Sequence, residues 1–388
     1  MKKGWPTVPL GELCDVLDNK RKPITKRDRE TGEYPYYGAT GIKDYVSGYI
    51  FDEPLVLVGE DGAKWATGDQ TAFAVEGKCW VNNHAHVLRP HRTRLIDNWL
   101  IHFFFYSDLS EFVSGLTVPK LNQGNLREIP IPLPPLAEQQ RIVGLLDEAF
   151  EGLATAKANA EKNLQNARAL FESHLQSVFT QRGPGWVENK LKSITTKIGS
   201  GATPRGGEES YKAEGVSLIR SLNVHDLSFK YAKLAFLDDA QADELSNVEV
   251  QPRDVLLNIT GASVARCAIV PDDVLPARVN QHVSIIRPVA EKLDADFLHY
   301  LLISKPYKDQ LLKTGEEGGS TRQAITKAQI QEFTVEYPAT LKEQETIVAK
   351  LDSMLAETQR LARLYERKHA ALEALKKSLL HQAFTGEL

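Results

Sequence analysis

The feature that most constrains this chain is that it is written twice. VNNHAHVLRP at 81–90 returns as VNQHVSIIRP at 279–288, with Val, Asn, His, Arg and Pro identical at one offset of 198 and no gap. LAEQQRIVGLLDEAF at 136–150 returns as LKEQETIVAKLDSML at 341–355, and Phe179-Thr180 returns as Phe384-Thr385, both at an offset of 205. Weaker echoes fill the ladder. GWPTVPLGEL at 4–13 meets GWVENKLKSI at 185–194, Leu55-Val56-Leu57 meets Val255-Leu256-Leu257, Gly62-Ala63 meets Gly261-Ala262, and Trp99-Leu100 meets Phe297-Leu298. Isolated matches arise by chance; an ordered ladder with a slowly drifting offset is a duplication. The unit of about 180–200 residues is far longer than a solenoid repeat, so the pattern means two related domains.

Composition agrees and narrows the class. At 388 residues the chain suits two domains. Its 42% hydrophobic and 25% charged residues are those of a globular protein. A net charge of −4 excludes a protein that coats nucleic acid through bulk positive charge. It leaves open a DNA binder whose cations gather on one face. Cys14, Cys79 and Cys267 are too few and too scattered for a zinc cluster or a disulfide framework. The basic start MKKGWPTVPLGEL lacks the apolar stretch of a signal peptide, and no run of 18 apolar residues exists. The expectation is a reduced, cytoplasmic protein with no membrane partner.

Each copy divides in two. Its first part carries short β-type runs punctuated by Gly and Pro, such as Leu55 to Val58, His86 to Leu88, Val255 to Ile259 and Val283 to Ile286. One amphipathic helix is expected in each, at Trp99 to Val113 and Phe297 to Leu312. Proline-rich boundaries, IPIPLPPL at 129–136 and EYPATL at 336–341, then give way to stretches without proline, 136–180 and 341–385. Apolar residues recur at 3–4 spacing in the first (Ile142, Leu146, Ala149, Leu153, Ala156, Ala160, Ala167, Phe171, Val178). They do so again in the second (Ile347, Leu351, Met354, Leu361, Leu372, Leu375, Leu379). That is a coiled-coil seam. Forty-five residues at about 1.5 Å each make rods of about 67 Å. Helix one carries four basic and six acidic residues, helix two eight and six, so pairing is not opposed by charge. Two solvated faces are the alternative. The expected domains are residues 1–135 and 181–340, with long helices at 136–180 and 341–388.

The junctions PLAEQQRIV and TLKEQETIV, the stretches YPYYGATGI (34–42), LVGEDGA (57–63) and TRQAITKAQI (321–330), and the FTGEL terminus together resemble the DNA-specificity subunit of type I restriction-modification systems. The resemblance covers nearly the whole chain. It implies an α+β fold: two pseudo-twofold-related mixed α/β target recognition domains separated by two long helices forming an antiparallel coiled coil. It implies a non-catalytic subunit that binds a bipartite double-stranded DNA target with a fixed gap and docks two methyltransferase subunits, with two restriction subunits in a full complex. Cofactors then lie with the partners: S-adenosylmethionine on the methyltransferase, which methylates adenine N6, and ATP and magnesium on the restriction subunit.

Catalytic constellations are weak. No Asp/Asn-Pro-Pro-Phe/Tyr tetrapeptide and no Gly-Lys-Ser/Thr occurs. GSGATPRGG at 199–207 could cradle a phosphate through backbone N–H groups or be a plain turn. Glu60-Asp61 with Lys64 faintly resembles a nuclease acid pair, but the second copy reads Thr260-Gly261-Ala262 there, which favours a strand-ending turn. His84 and His282 match in the two copies without a carboxylate or Cys at ligand spacing, and read as core histidines serving one shared role. No metal site is expected.

DNA contacts are therefore sought where phosphate and base-reading side chains cluster in loops. In the first head these are Lys20, Arg21, Lys22, then Tyr36, Tyr37, Gly38, Thr40 and Lys43, then Lys120, Asn122 and Gln123. In the second they are Ser200, Thr203 and Arg205, then Arg220, Ser221 and Asn223, then Thr321, Arg322 and Gln323. The last set is matched with Lys120–Gln123 by its place before the long helix. Two other classes compete: a coiled-coil adaptor with protein-binding heads, and an enzyme acting at Glu60 or at 199–207.

Overall fold

The computed structural model describes residues 5–115, 117, 119–316 and 324–388. In the first head, strands β1 (Cys14–Val16), β2 (Thr31–Gly38), β3 (Gly41–Val46), β4 (Phe51–Asp52), β5 (Leu55–Gly59), β6 (Ala72–Val75), β7 (Lys78–Val81) and β8 (Ala85–Pro90) form two sheets. One has the order β1-β8-β5-β6 and is antiparallel throughout. The other has the order β3-β2-β7-β4, with β2 and β7 parallel.

The second head has β9 (Thr195–Ser200), β10 (Val216–Ile219), β11 (Ala235–Leu237), β12 (Glu249–Val250), β13 (Val255–Asn258), β14 (Cys267–Ile269), β15 (Ala277–Val279) and β16 (Val283–Pro288). Its sheets run β9-β16-β13-β14 and β11-β10-β15-β12, with β10 and β15 parallel. Within these four-stranded sheets every strand number is the first head's plus eight; the second head adds a hairpin of Val224–His225 with Ser228–Phe229 that has no counterpart among the described residues of the first. The duplication read from the sequence is thus a duplication of topology.

Register corrects one detail of the match. Val56 pairs with Leu88 in the first head and Val255 with Ile286 in the second, so Val56, not Leu55, corresponds to Val255. These strands are buried on both faces and carry no polar alternation to fix a register by eye. The repeated Arg-Pro has a job in both heads. Arg89 forks onto Glu53 through Nε (2.6 Å) and Nη2 (2.7 Å). Arg287 forks onto buried Asp254 in the same way (2.7 and 2.8 Å).

Besides two short helices of the second head, Leu191–Ile194 and Asp239–Glu244, the helices are α1 (Asp97–Tyr106), α2 (Gln123–Glu128) and α3 (Leu136–Thr180), then α4 (Ala295–Ile303), α5 (Lys305–Glu316), α6 (Lys327–Glu332) and α7 (Leu341–Thr385). Two sequence expectations overran. α1 stops at Tyr106 instead of Val113, because the Asp108 side chain accepts the Ser110 N–H (2.9 Å) and offers the backbone a turn instead. The stretch from Phe297 to Leu312 is two helices broken at buried Ser304, since Pro306 suits a first turn and not a helix interior.

The chain forms two compact units, Met1–Lys162 with Tyr365–Leu388, and Asn163–Leu364. Each holds one head and half of each long helix. In the first unit, Trp99 and Phe104 of α1, Ile142 and Leu146 of α3, and Ala383 and Phe384 of α7 share a core with Val56, Val58 and Leu88. In the second, Phe171, Leu175 and Phe179 of α3 and Val348 and Leu351 of α7 pack with Phe297 and Leu298. Each copy's closing phenylalanine therefore packs on the other copy's head helix. Phe384 lies 4.7 Å from Trp99, and Phe179 lies 5.4 Å from Phe297, between ring centroids.

Within the first unit the helix pair is antiparallel. Arg141 donates to the Leu388 carbonyl (2.8 Å), Lys157 pairs with Glu373 (3.0 Å) and Glu161 faces His369 (3.7 Å). Two heptad series are buried or half-buried along α7: Val348, Leu355, Ala362, His369, Lys376, Ala383, and Leu351, Thr358, Tyr365, Leu372, Leu379. A strict seven-residue period is the signature of a left-handed coiled coil. Leu375, expected in the seam, is 48% exposed; its place is taken by Lys376, whose ammonium sits over the rings of Phe105 (4.2 Å) and Phe150 (4.9 Å). A lysine stem covers apolar surface and the ring faces accept its charge.

Candidate nucleic-acid interface

Both heads carry the same tight turn between β7 and β8 or between β15 and β16. Asn82 Oδ1 accepts the His84 N–H (2.8 Å), and Asn280 Oδ1 accepts the His282 N–H (3.0 Å). The His84 carbonyl accepts the Glu60 N–H (2.9 Å), and the His282 carbonyl accepts the Ile259 N–H (3.0 Å). The repeated Asn and His are thus a framework. His84 is not the core histidine the sequence suggested: it is exposed and its Nδ1 bonds Asp61. The core histidine of the first head is His86, two residues on and fully buried, which sequence reasoning passed over. An inward-facing polar residue in an otherwise apolar strand was its only signal.

His86 anchors a buried ion cluster. Its Nε2 donates to the Leu121 carbonyl (2.7 Å) and its Nδ1 lies 2.6 Å from Asp18 Oδ2. Asp18 Oδ1 accepts the Val87 N–H (2.9 Å). Glu60, only 7% exposed, takes Arg21 and the Lys120 ammonium (2.8 Å). Burial pushes the Glu60 carboxyl up, but hydrogen bonds from Lys120 and Arg21 outweigh it and hold it below the ordinary carboxylate value. Burial also raises Asp18, and the hydrogen bond and charge of His86 turn the balance downward. Glu60 in turn raises Lys120.

Asp18, Glu60 and His86 bring ligand atoms within 4.8 Å of one another, the spacing of a metal cluster. Arg21 and Lys120 already neutralise it, so the arrangement works as an internal ion cluster that ties three loops together. Arg21 and Lys120, chosen as DNA contacts, are committed here. In the second head Ile259 and Ser284 stand where Glu60 and His86 stand, and no such cluster forms among the described residues.

The other first-head candidates divide. Tyr36 is buried, its hydroxyl accepting the Ile24 N–H (3.0 Å). Tyr37 is half-buried at the β2 end, tilted against Phe73 at 5.9 Å. Gly38 is buried; a Cβ there would meet Lys43 Cγ at 2.9 Å and Asn82 Nδ2 at 3.3 Å, so glycine lets Lys43 lie across this site. Lys20, Lys22, Thr40, Lys43 and Gln123 are exposed. Lys43 Nζ donates to Thr40 Oγ1 (3.0 Å). Asn122 is the N-cap of α2, accepting the Asn125 N–H (2.9 Å).

An open groove of about 670 Å³ gathers Lys43 and Tyr36 with Ile24, Thr25, Lys26, Arg29, Asn82, Asn83 and His84. Lys26 and Arg29 were missed, although the basic run beginning at Lys20 continues through them. Arg29 lies over the Tyr36 ring at 4.4 Å and pairs with Asp44 at 3.1 Å.

In the second head, Thr203 and Arg205 are exposed around buried Pro204, Ser200 ends β9, and the Thr203 hydroxyl bonds Gln281. Arg220 is spent internally on Glu208 (2.6 Å), the Lys233 carbonyl (2.7 Å) and the Tyr211 ring. Asn223 is fully buried and holds its own loop by accepting the Arg220 N–H (3.0 Å) and donating to the Lys230 carbonyl (2.8 Å). The Ser221 carbonyl accepts Asn258 Nδ2 (2.9 Å). This turn is scaffold. Thr321, Arg322 and Gln323 lie outside the described residues.

Their match with Lys120–Gln123 is corrected. Leu121 N–H donates to the Glu60 carbonyl and Ile325 N–H to the Ile259 carbonyl, both at 2.8 Å, so Lys120 corresponds to Ala324 and Asn122 to Thr326, the N-cap of α6.

The enzyme candidates are structural as well. Glu60 is paired with Arg21 and Lys120, and Asp61 is bonded to His84. In the 199–207 loop the Gly201 N–H is taken by the Asn280 carbonyl (3.1 Å) and the Gly207 N–H by the Pro204 carbonyl (3.1 Å). A Cβ on Gly201 would fall 1.8 Å from the Val279 carbonyl oxygen, so close strand approach explains that glycine. No helix among the described residues is long and apolar enough to cross a membrane.

The profile of the type I restriction modification DNA specificity domain matches residues 2–164 and again 184–366. The MjaVIII specificity subunit of Methanocaldococcus jannaschii is 22% identical over 99% of this chain and 93% of its own. A Haemophilus influenzae protein assigned provisionally as a type I restriction enzyme specificity subunit is 40% identical over 139 residues, 36% of this chain and 36% of that one. A solved chain concerned with assembly and conformational transition of the type I R-M system superposes with a TM-score of 0.76 at 21% identity, over 100% of this chain and 99% of that one, and shares the fold. With the domain matched twice and its topology built twice, the chain belongs to the type I restriction-modification DNA-specificity subunits.

Proposed function

We propose that this chain recognises a bipartite double-stranded DNA target, each head reading one half, with α3 and α7 setting the gap. The observation that carries it is one topology built twice with different exposed side chains on the same turn. Two methyltransferase subunits dock on the chain, and two restriction subunits join in a full complex. Adenine N6 methylation with S-adenosylmethionine belongs to the methyltransferase, and ATP and magnesium to the restriction subunit. The chain itself is non-catalytic and works in the cytoplasm. Lys20, Lys22, Lys43 and Arg205 contact phosphates. Because the net charge is −4, partners supply much of the basic surface around the duplex.

The test is co-expression with the cognate methyltransferase in a methylation-free host, followed by single-molecule sequencing of modified bases. A bipartite motif with a fixed gap, absent when either protein is expressed alone, is expected. No motif from soluble, copurifying proteins would return the adaptor reading.

A further inference from the structure

We propose that Asn83 and Gln281 are equivalent adenine-reading residues of the two heads. This rests on the reading of the chain as a DNA-specificity subunit and names the side chains that carry specificity.

The argument starts from what is constant. In both heads an Asn side chain accepts the N–H of a His two residues on, and that His carbonyl accepts an N–H from the segment following β5 or β13. The imidazole Nδ1 is held from corresponding positions, by Asp61 in one head and Thr260 in the other. The residue enclosed by this frame is exposed in both, and it is the one that differs: Asn83 against Gln281. A fixed frame around a variable exposed residue is the arrangement expected of a reader, whereas a structural turn has no need to place an amide in both copies.

The chemistry specifies the ligand. A primary amide offers one acceptor oxygen and a donor NH₂ side by side, which matches the N6–H donor and N7 acceptor that adenine shows in the major groove. Asn and Gln present the same edge and differ by one methylene in reach. Gln281 is already oriented: the Thr203 hydroxyl donates to its Oε1 and its Nε2 donates to His282 Nε2 at 3.0 Å. Each amide atom keeps one further bonding position, the pair that adenine takes. Arg21 reaches only the backbone carbonyl of Asn83 (3.4 Å), and Asn83 lines the groove beside Lys26 and Lys43, cations placed for the flanking phosphates.

The experiment uses the chain assembled with its methyltransferase. The wild-type motif is mapped first; failure to find a bipartite motif would overturn the functional reading itself, before any variant is made. Asn83→Ala, Gln281→Ala, Asn83→Asp and Gln281→Glu are then mapped, and binding is measured against duplexes carrying each single base-pair change. Asn83→Ala should lose roughly 5- to 150-fold of discrimination at one A·T pair of one half-site, the range one bidentate base contact supplies. The gap and the other half-site should be unchanged, and Gln281→Ala should do the reverse. The carboxylate variants should lose the A·T preference too, since they cannot donate to N7. An unchanged motif, a loss at a G·C pair, or uniform weakening across all sequences overturns the proposal. So does a variant that fails to fold, because that marks a structural residue.

Discussion

Glu60 closes β5 with its carboxylate buried against Arg21 and Lys120, and Asp18 sits against His86. Removing one member of such a cluster strands the others. Glu60→Ala should lower the unfolding free energy by about 3 kcal/mol in urea, the cost of breaking a buried ion pair from one side. The pH dependence has a definite sign. Both carboxyls are held below their ordinary values in the folded chain, so their stabilisation is complete above those values and is lost as pH falls through the depressed ones. Acid titration followed by tryptophan fluorescence should show the first unit loosening below about pH 4, and Glu60→Gln should flatten that limb. The probe is selective, since Trp5, Trp65, Trp80 and Trp99 lie in the first unit and Trp186 alone in the second. None of this cluster was legible beforehand. Arg21 and Lys120 were rightly seen as charged loop residues, but a basic side chain looks the same in sequence whether it waits for a phosphate or is already paired with a carboxylate 39 residues away.

At the scale of elements, the repeated Glu-Gln at the start of each long helix acquires a reason. Gln139 is fully buried; its Oε1 accepts the Ile96 N–H (2.9 Å) and its Nε2 donates to the carbonyls of Arg94 (2.8 Å) and Pro134 (2.9 Å). Gln344 does the same with Asp294 (2.8 Å), Lys292 (3.0 Å) and Pro338 (2.9 Å). One amide thus satisfies three backbone groups where helix, boundary proline and head helix meet. Gln139→Leu or Gln344→Leu should destabilise by about 2–4 kcal/mol, because buried N–H and C=O groups lose their partner with no water to replace it. Calorimetry of the full chain checks this. The long helices themselves were legible because proline was absent over 45 residues and apolar residues kept step. The breaks after Tyr106 and at Ser304 were missed because hydrophobic periodicity continues through them while local backbone chemistry does not.

At the scale of the molecule, the seam in α3 and α7 keeps a seven-residue period. Inserting one heptad in each helix, at positions that face each other in the antiparallel register, preserves that seam and adds about 10 Å of rod. If the helices set the gap, the methylation motif should gain about three base pairs between its halves at 3.4 Å each, with both half-sites unchanged. An unaltered gap in a folded, active insertion variant would remove the helices from the role of spacer. Methylation mapping reads this directly.

The sequence by itself determined the duplication, the alternation of β-rich head and long helix, and the family. These rest on order along the chain and on local periodicity, which a sequence states outright. Only the tertiary structure decided which polar residues are spent holding the fold and which remain exposed. Arg21, Lys120, Arg220 and Asn223 went to internal partners, while Asn83 and Gln281, never singled out, stand exposed on the same turn. The reason is physical: a hydrogen-bonding side chain is defined by its partner, and these partners are brought together from distant parts of the chain by the sheets.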